Sequence, residues 1–331
     1  MDKWNGLDRY RAGCGQRAGG VSDGELGSCA FEFVSHGRNA TRARKFFVFL
    51  EDGLFVLGGG ITGAKAASAP FSYRSNLNQT AFMGDLSVRA ADGTTAAIQA
   101  SVTEEHLVFP LTQRFWVEHA GIGYLVLPSA GPADRGAALH IRVSERTPEN
   151  RLVSAIYNAD TPGMAAYREA CAELTAKGRK AVVLEIWVDH GQQPADASVA
   201  YFVCMRPEKY ANGRLLHEPP VDVLENSAQC QAVKDKTSGI VHAFFYAAGT
   251  LAAAPRVGVD RPAALMLRPK GRGWLLTVQD PTAACTPKVE QHASAIQVSL
   301  PGGKQTVTLP GAGDPDDRRQ GAPITVSMPG R

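Results

Sequence analysis

The sequence predicts an all-β protein: a large antiparallel β-sandwich, then a smaller C-terminal β-sandwich, with one short helix near residues 163–177. Three observations predict it. Short runs rich in β-branched and aromatic residues recur along most of the chain, turn residues separate them at close intervals, and helical periodicity is found in one place only. The 331 residues are enough for two cores, since domains commonly run about 100–200 residues. A composition of 44% hydrophobic and 20% charged residues is that of an ordinary globular chain.

Residues 1–18 carry little periodicity and are expected to be irregular. The organising stretch is Phe46 to Leu50 and Leu54 to Leu57, two apolar runs joined by Glu51-Asp52-Gly53, which predicts a β-hairpin. Ser28 to Val34 precedes it as a strand. Further strands are expected at Asp85–Val88, Thr95–Val102, His106–Phe109, Phe115–Glu118, Ile122–Leu127, Ala138–Val143 and Leu152–Tyr157. In the helix, Thr161 can cap, Pro162 suits the first position, Met164, Tyr167, Cys171 and Leu174 share a face, and Gly178 stops the run. Strands resume at Ala181–Trp187 and Ser198–Met205. The polar, proline-bearing segment from Glu208 to Pro220 separates a first domain, 19–215, from a second, 216–331. The second carries Val221–Leu224, Gln229–Lys234, Ile240–Tyr246, Ala263–Arg268, Trp274–Gln279, Ala295–Leu300, Thr306–Leu309 and Ile324–Met328.

Several function classes are disfavoured. A net charge of +3 with scattered basic residues gives no nucleic-acid stripe. No apolar window reaches the roughly 18 residues of a membrane span, and no export signal is read at the N-terminus. The six cysteines are far apart, without ligand spacing to histidine; free thiols in strands are expected, with one disulfide left open. No metal and no cofactor are expected. Gly58-Gly59-Gly60 opens no helix, so it is read as a bulge or a close backbone approach, not a phosphate cradle. Gly20-Val-Ser-Asp-Gly24 spells a nucleophile elbow, but lacks the strand-then-helix context, so Ser22 is read as a turn residue.

The order of these pieces resembles the C-terminal half of the polysaccharide lyase family 8 enzymes, the hyaluronate, chondroitin and xanthan lyases. Three landmarks carry the resemblance: Gly19-Gly-Val-Ser-Asp-Gly24 leading into Ala43-Arg-Lys-Phe-Phe-Val-Phe49 and Leu57-Gly-Gly-Gly-Ile61; Ser75-Asn-Leu-Asn-Gln79; and Ile186-Trp-Val-Asp-His-Gly191 followed by Ala197-Ser-Val-Ala-Tyr201 and Pro207. Where the family has a serine after its paired basic residues this chain has Phe46, and the helix near 163–177 has no evident counterpart. The resemblance implies a galactose-mutarotase-like supersandwich, then a small C-terminal sandwich. It implies Trp187, His190, Gly191 and Tyr201 as a structural motif, with His190 beside Trp187. In complete members a helical toroid supplies the catalytic Asn, His, Tyr and Arg, and the reaction is β-elimination next to a uronate carboxylate. No catalytic residue is carried over to this chain.

The residues weighed singly are few. Arg74, Asn78 and Gln79 are expected in a turn that, by the resemblance, looks toward the saccharide cleft; amide and guanidinium groups suit hydroxyls and carboxylates, and the alternative is a turn satisfied within itself. Asp189 and His190, consecutive on a strand, point to opposite faces and cannot act as one site. His106 and His119 flank a strand pair without a third metal ligand. Glu104-Glu105 and Asp314, Asp316 and Asp317 are read as solvated faces. Asn39-Ala-Thr41 and Asn78-Gln-Thr80 match the glycosylation pattern, which matters only in a eukaryotic secretory setting.

The expectation is the non-catalytic sandwich portion of a uronic-acid polysaccharide lyase, a fragment or reduced relative. Its partners are an acidic polysaccharide and a missing or separately encoded helical toroid. The resemblance implies an extracellular or periplasmic place. The alternative is a stand-alone carbohydrate-binding or scaffold protein built from the same sandwiches.

Overall fold

The computed structural model describes residues 15, 17–34, 41–63, 72–129, 134, 136–147, 169, 172–282, 295–310 and 322–328. Its strands form four antiparallel sheets. The first thirteen are β1 (Ala18–Ser22), β2 (Gly27–Val34), β3 (Arg42–Leu50), β4 (Gly53–Thr62), β5 (Arg74–Ala81), β6 (Leu86–Ala90), β7 (Thr95–Ile98), β8 (Glu104–Pro110), β9 (Phe115–His119), β10 (Ile122–Leu127), β11 (Ala138–Arg146), β12 (Ala181–Asp189) and β13 (Ala197–Cys204). They make a nine-stranded sheet, ordered β1-β2-β3-β4-β13-β10-β9-β6-β7, and a four-stranded sheet, ordered β5-β12-β11-β8. The rest are β14 (Val221–Asn226), β15 (Cys230–Asp235), β16 (Val241–Phe245), β17 (Gly249–Leu251), β18 (Val257–Val259), β19 (Ala263–Lys270), β20 (Gly273–Gln279), β21 (Ala295–Leu300), β22 (Gly303–Thr308) and β23 (Ile324–Met328). They make a six-stranded sheet, β14-β15-β16-β19-β20-β23, and a four-stranded one, β17-β18-β21-β22.

The sheets stack as four layers around three apolar cores. Leu139, Ile141, Leu184 and Ile186 of the first four-stranded sheet meet Val56, Val117, Val126 and Val199 of the nine-stranded sheet. The opposite face of the nine-stranded sheet offers Phe46, Phe55, Leu57 and Phe202 to Val233, Phe244 and Met266 of the six-stranded sheet and to Tyr246 just past β16. Behind that, Val241, Ala243, Phe245 and Leu265 pack on Val257, Ile296 and Val298. Strand geometry sends successive side chains to opposite faces. The apolar runs Phe46 to Val48 and Leu54 to Leu57 therefore follow from a sheet covered on both sides, while Phe49, 51% exposed, lies beyond that cover. Although the chain passes from one sandwich to the other between Cys204 and Val221, the middle core belongs to both.

The hairpin forms as expected, with Leu50 opposite Gly53. Gly58–Gly60 is a bulge: register shifts against both β3 and β13, Gly60 has φ of 60°, and a Cβ on Gly59 would lie 2.8 Å from Asn226 Oδ1. The Asn226 amide crosses between the domains there, donating to Gly58 O at 3.1 Å and Val199 O at 3.2 Å. Five strands differ from expectation. Ala18–Ser22, read as an irregular start leading into a turn, is strand β1. Arg74–Ala81, expected as a turn, is strand β5, and Thr95–Val102 stops at Ile98, where Val102 N–H folds back to Gln99 O at 2.9 Å. β17 and β18, three residues each, carry too little pattern to read. Residues 172–176 are helical, and Gly178, at φ of 67°, ends them; the proposed cap, the helix start and Leu152–Tyr157 lie outside the described residues. Cys29, Cys204 and Cys230 are free thiols on strands.

Candidate functional site

The outer face of the β5-β12-β11-β8 sheet gathers the polar residues that chemistry can use. Strand β5 pairs along β12 with one irregularity: Ile186 faces Asn78 and Trp187 faces Asn76, so Leu77 is an extra residue between them. An extra residue shifts the alternation by one. Arg74 and Asn76 point outward, and beyond the bulge Gln79 also points outward, opposite Glu185. Asn78 turns inward, where its Nδ2 donates to the Tyr124 hydroxyl at 2.6 Å across the sandwich. The triad expected in one turn is thus divided: Arg74 and Gln79 are exposed on the outer face, and Asn78 ties the two layers together.

Trp187 is the centre of that face, only 2% exposed because charged and aromatic groups cover it. The Arg74 guanidinium lies 4.6 Å from its ring and that of Arg142 lies 5.4 Å away. His140 stacks at 4.9 Å and His106 at 5.6 Å. Cations over an indole face are held by the ring quadrupole. The indole Nε1 is buried without a partner among the described residues. His106 Nε2 and His140 Nδ1 are 3.0 Å apart and share a hydrogen bond. Burial, reinforced by Arg142 and Arg74, holds the His106 pKa below its usual value. At His140 burial does the same, aided by His106 and Arg74 against the upward pull of Asp189. Both imidazoles thus resist adding charge beside the two guanidiniums, whose own charge is opposed on this face by Glu185 and Asp189.

Carboxylates fix the arginines to different degrees. Glu185 accepts from Arg142 Nε at 2.9 Å and from Arg146 at 2.8 Å, which commits Arg142. Arg74 is freer, its side chain 45% exposed and its Nε 3.8 Å from Asp189. Asp189 receives Ser72 Oγ–H at 2.6 Å and Gly191 N–H at 2.8 Å. Burial raises its pKa, but those hydrogen bonds prevail, aided by the neighbouring His140 ring and the Arg74 guanidinium, so the net shift is downward.

His190 does not sit beside Trp187 as the resemblance suggested. Three residues further along an alternating strand it lies on the inner face, 9% exposed, with Nε2 2.9 Å from Ser75 Oγ and Nδ1 buried without a partner among the described residues. Asp189 and His190 do face opposite ways. Gly191, at φ of 79°, allows the chain to turn after the strand. Tyr201 is core, 6% exposed, its phenol pushed up to about 12 by burial. His119 is also core, stacked 5.2 Å from Phe82 and accepting Met83 N–H at 3.2 Å, and so never meets His106. Glu104 and Glu105 are exposed. Among the described residues no group of three His, Cys, Asp or Glu side chains is placed to hold a metal, and no helix is long and apolar enough to cross a membrane.

The strand not read before Ser22 is present, since Ser22 ends β1, but strand β2 and no helix follows; Ser22 Oγ donates to Leu26 O at 2.9 Å and accepts Gly24 N–H at 3.1 Å, closing a turn into β2. Asn76, His140, Arg142 and Glu185 were not singled out from the sequence. The alternation Leu139-His140-Ile141-Arg142-Val143 held the signal for two of them.

The polysaccharide lyase family 8 super-sandwich domain matches residues 5–211, and that family's C-terminal β-sandwich domain matches residues 222–287. Chondroitinase-AC of Pedobacter heparinus is 26% identical over 270 residues, 80% of this chain and 32% of its own length. Xanthan lyase of Bacillus sp. is 26% identical over 269 residues, 79% of this chain and 26% of its own. Among solved structures, chondroitinase AC lyase with bound oligosaccharide superposes with a TM-score of 0.61 at 22% identity, over 96% of this chain and 38% of its own. Paenibacillus xanthan lyase does so with a TM-score of 0.70 at 17% identity, over 96% and 29%. The chain spans about a third of the length of these relatives. With both domains matched in order over most of its length, the chain belongs to polysaccharide lyase family 8.

Proposed function

We propose that this chain is the sandwich portion of a lyase acting by β-elimination on uronic-acid-containing polysaccharides, and that it contributes glycan contacts while the proton-abstracting machinery lies elsewhere. The observation that carries the glycan reading is the exposed guanidinium of Arg74 over Trp187, flanked by Asn76 and Gln79 and backed by Arg142. A planar fork beside amides suits a sugar carboxylate and its neighbouring hydroxyls. Against a catalytic role, a base for the C5 proton needs a pKa near the working pH. The described tyrosines with shifted phenols go the wrong way: burial raises Tyr124 and Tyr246, and lifts Tyr201 and Tyr210 to about 12, Tyr210 with further help from Asp52. Polymers of this kind are met outside the cytoplasm, which supports an extracellular place of action.

The test is incubation of the chain with hyaluronan or chondroitin sulfate while following ultraviolet absorbance of the unsaturated product, alongside affinity electrophoresis in the same polymers. Retardation without product is expected, weakened by Arg74→Ala. Appreciable turnover by the chain alone overturns the non-catalytic reading, and absence of retardation overturns glycan binding.

A further inference from the structure

The outermost sheet of the C-terminal sandwich carries a groove of about 640 Å3, within the roughly 300–1,000 Å3 of small-ligand sites. Its floor is one cross-strand row, Thr250–Gly258–Ser299–Lys304, set by the registers of β17, β18, β21 and β22. Gly258 stands mid-strand between the core residues Val257 and Val259. Its backbone is not in the left-handed region, so conformation does not call for glycine there. A Cβ there would lie 3.3 Å from Thr250 Oγ1 and 3.5 Å from Ser299 Cβ, a close fit that would narrow the notch between them. Away from bulges and tight bends, a glycine inside a strand often stands where a ligand or another backbone approaches closely.

Arg256, Gln297, Asp260 and Lys304 border this notch. The charges are unbalanced. Asp260 is occupied, accepting Gln297 N–H at 3.0 Å and pairing with Arg261 at 3.4 Å. Arg256 and Lys304 are exposed and have no carboxylate partner among the described residues. Two free cations beside hydroxyl and amide side chains, over bare backbone, are complementary to an anionic sugar. We propose that this groove is a second glycan-binding site, which holds a carboxylate- or sulfate-bearing unit of an acidic polysaccharide between Arg256 and Lys304. It rests on the reading of the chain as an acidic-glycan protein and adds a contact on a different sheet from Trp187. Two contacts on one polymer raise avidity through effective concentration.

Calorimetric titration of the full chain with hyaluronan and chondroitin sulfate hexasaccharides tests it, with a neutral dextran oligosaccharide as comparison. Arg256→Ala with Lys304→Ala changes only exposed side chains, and Gly258→Leu fills the notch without touching charge; melting curves confirm that each variant is folded. Loss of a charge-assisted contact predicts about a tenfold fall in affinity at this site, with Arg74→Ala leaving this site intact. Tighter binding of chondroitin sulfate than of hyaluronan would identify sulfate as the preferred anion, and equal binding the carboxylate. Binding by the Arg256/Lys304 variant equal to that of the unmodified chain overturns the groove alone. No binding of either hexasaccharide by the unmodified chain overturns the groove and the glycan reading together, and equal binding of dextran overturns the anionic basis of recognition.

Discussion

Replacing His242 with leucine should make the protein more resistant to acid. His242 lies on β16 with none of its surface exposed, and neither ring nitrogen has a partner among the described residues. Burial pulls its pKa from 6.5 to about 4, against the opposing fields of Asp235 and Asp23 and with help from Arg268. The unfolded chain therefore binds a proton here as pH falls below 6.5, while the folded protein resists until about 4. Stability from keeping this ring neutral is fully present above the unfolded pKa and is lost as pH falls through that window. The slope for one proton is about 1.4 kcal/mol per pH unit, so the loss amounts to about 2 kcal/mol at pH 5. Leucine carries no such proton and strands no polar atom in the core, so at pH 7 the variant should be about as stable as the unmodified protein. Urea unfolding of both proteins at pH 7, 6 and 5 measures the effect. The gap between them should widen in favour of His242→Leu by about 2 kcal/mol across that range. Parallel pH dependences would refute the burial of an unpartnered imidazole.

Other perturbations test the bulges and the shared core. Asn78→Leu strands the Tyr124 hydroxyl and should cost about 1–3 kcal/mol in thermal or urea denaturation, whereas Gln79→Ala, on the exposed face, should stay within about 0.5 kcal/mol; equal effects would contradict the reversal of alternation at Leu77. Gly59→Val forces a side chain against Asn226 and should cost upward of about 1 kcal/mol, read as a lower melting temperature, with an unchanged one ruling out the close approach. Ending the chain after residue 215 uncovers Phe46, Phe55, Leu57 and Phe202, and the product should aggregate or bind a hydrophobic dye; a soluble fragment with a cooperative melt would show that the first sandwich stands alone.

Much of the architecture was legible because strand chemistry is local. Phe46 to Leu50 and Leu54 to Leu57 announce a hairpin through residue type and turn alone, and Gly58–Gly60 announces a bulge by failing to open a helix. β5 escaped because Arg-Ser-Asn-Leu-Asn-Gln is made of turn-forming residues with one apolar side chain; pairing along β12, not intrinsic preference, makes it a strand. The inserted Leu77 then hid which of Asn78 and Gln79 faces outward. His140 and Arg142 stood in plain alternation with Leu139, Ile141 and Val143, yet their meeting with Trp187 and Arg74 depends on registers among strands far apart in sequence. The polar segment before Val221 was visible as a break, but sequence could not say what covers the second face of the Phe46–Leu57 hairpin, since a run apolar throughout names no neighbour.

That doubly covered hairpin also constrains how the fold can be built and rearranged. A central leaf that sheds water on both sides has no stable existence with only one companion, so collapse of the flanking sheets onto it must be concerted, and heat should dismantle all four layers in one transition. An evolutionary exchange of the C-terminal module would succeed only if the incoming sheet brought matching bulky apolar side chains to the same spots.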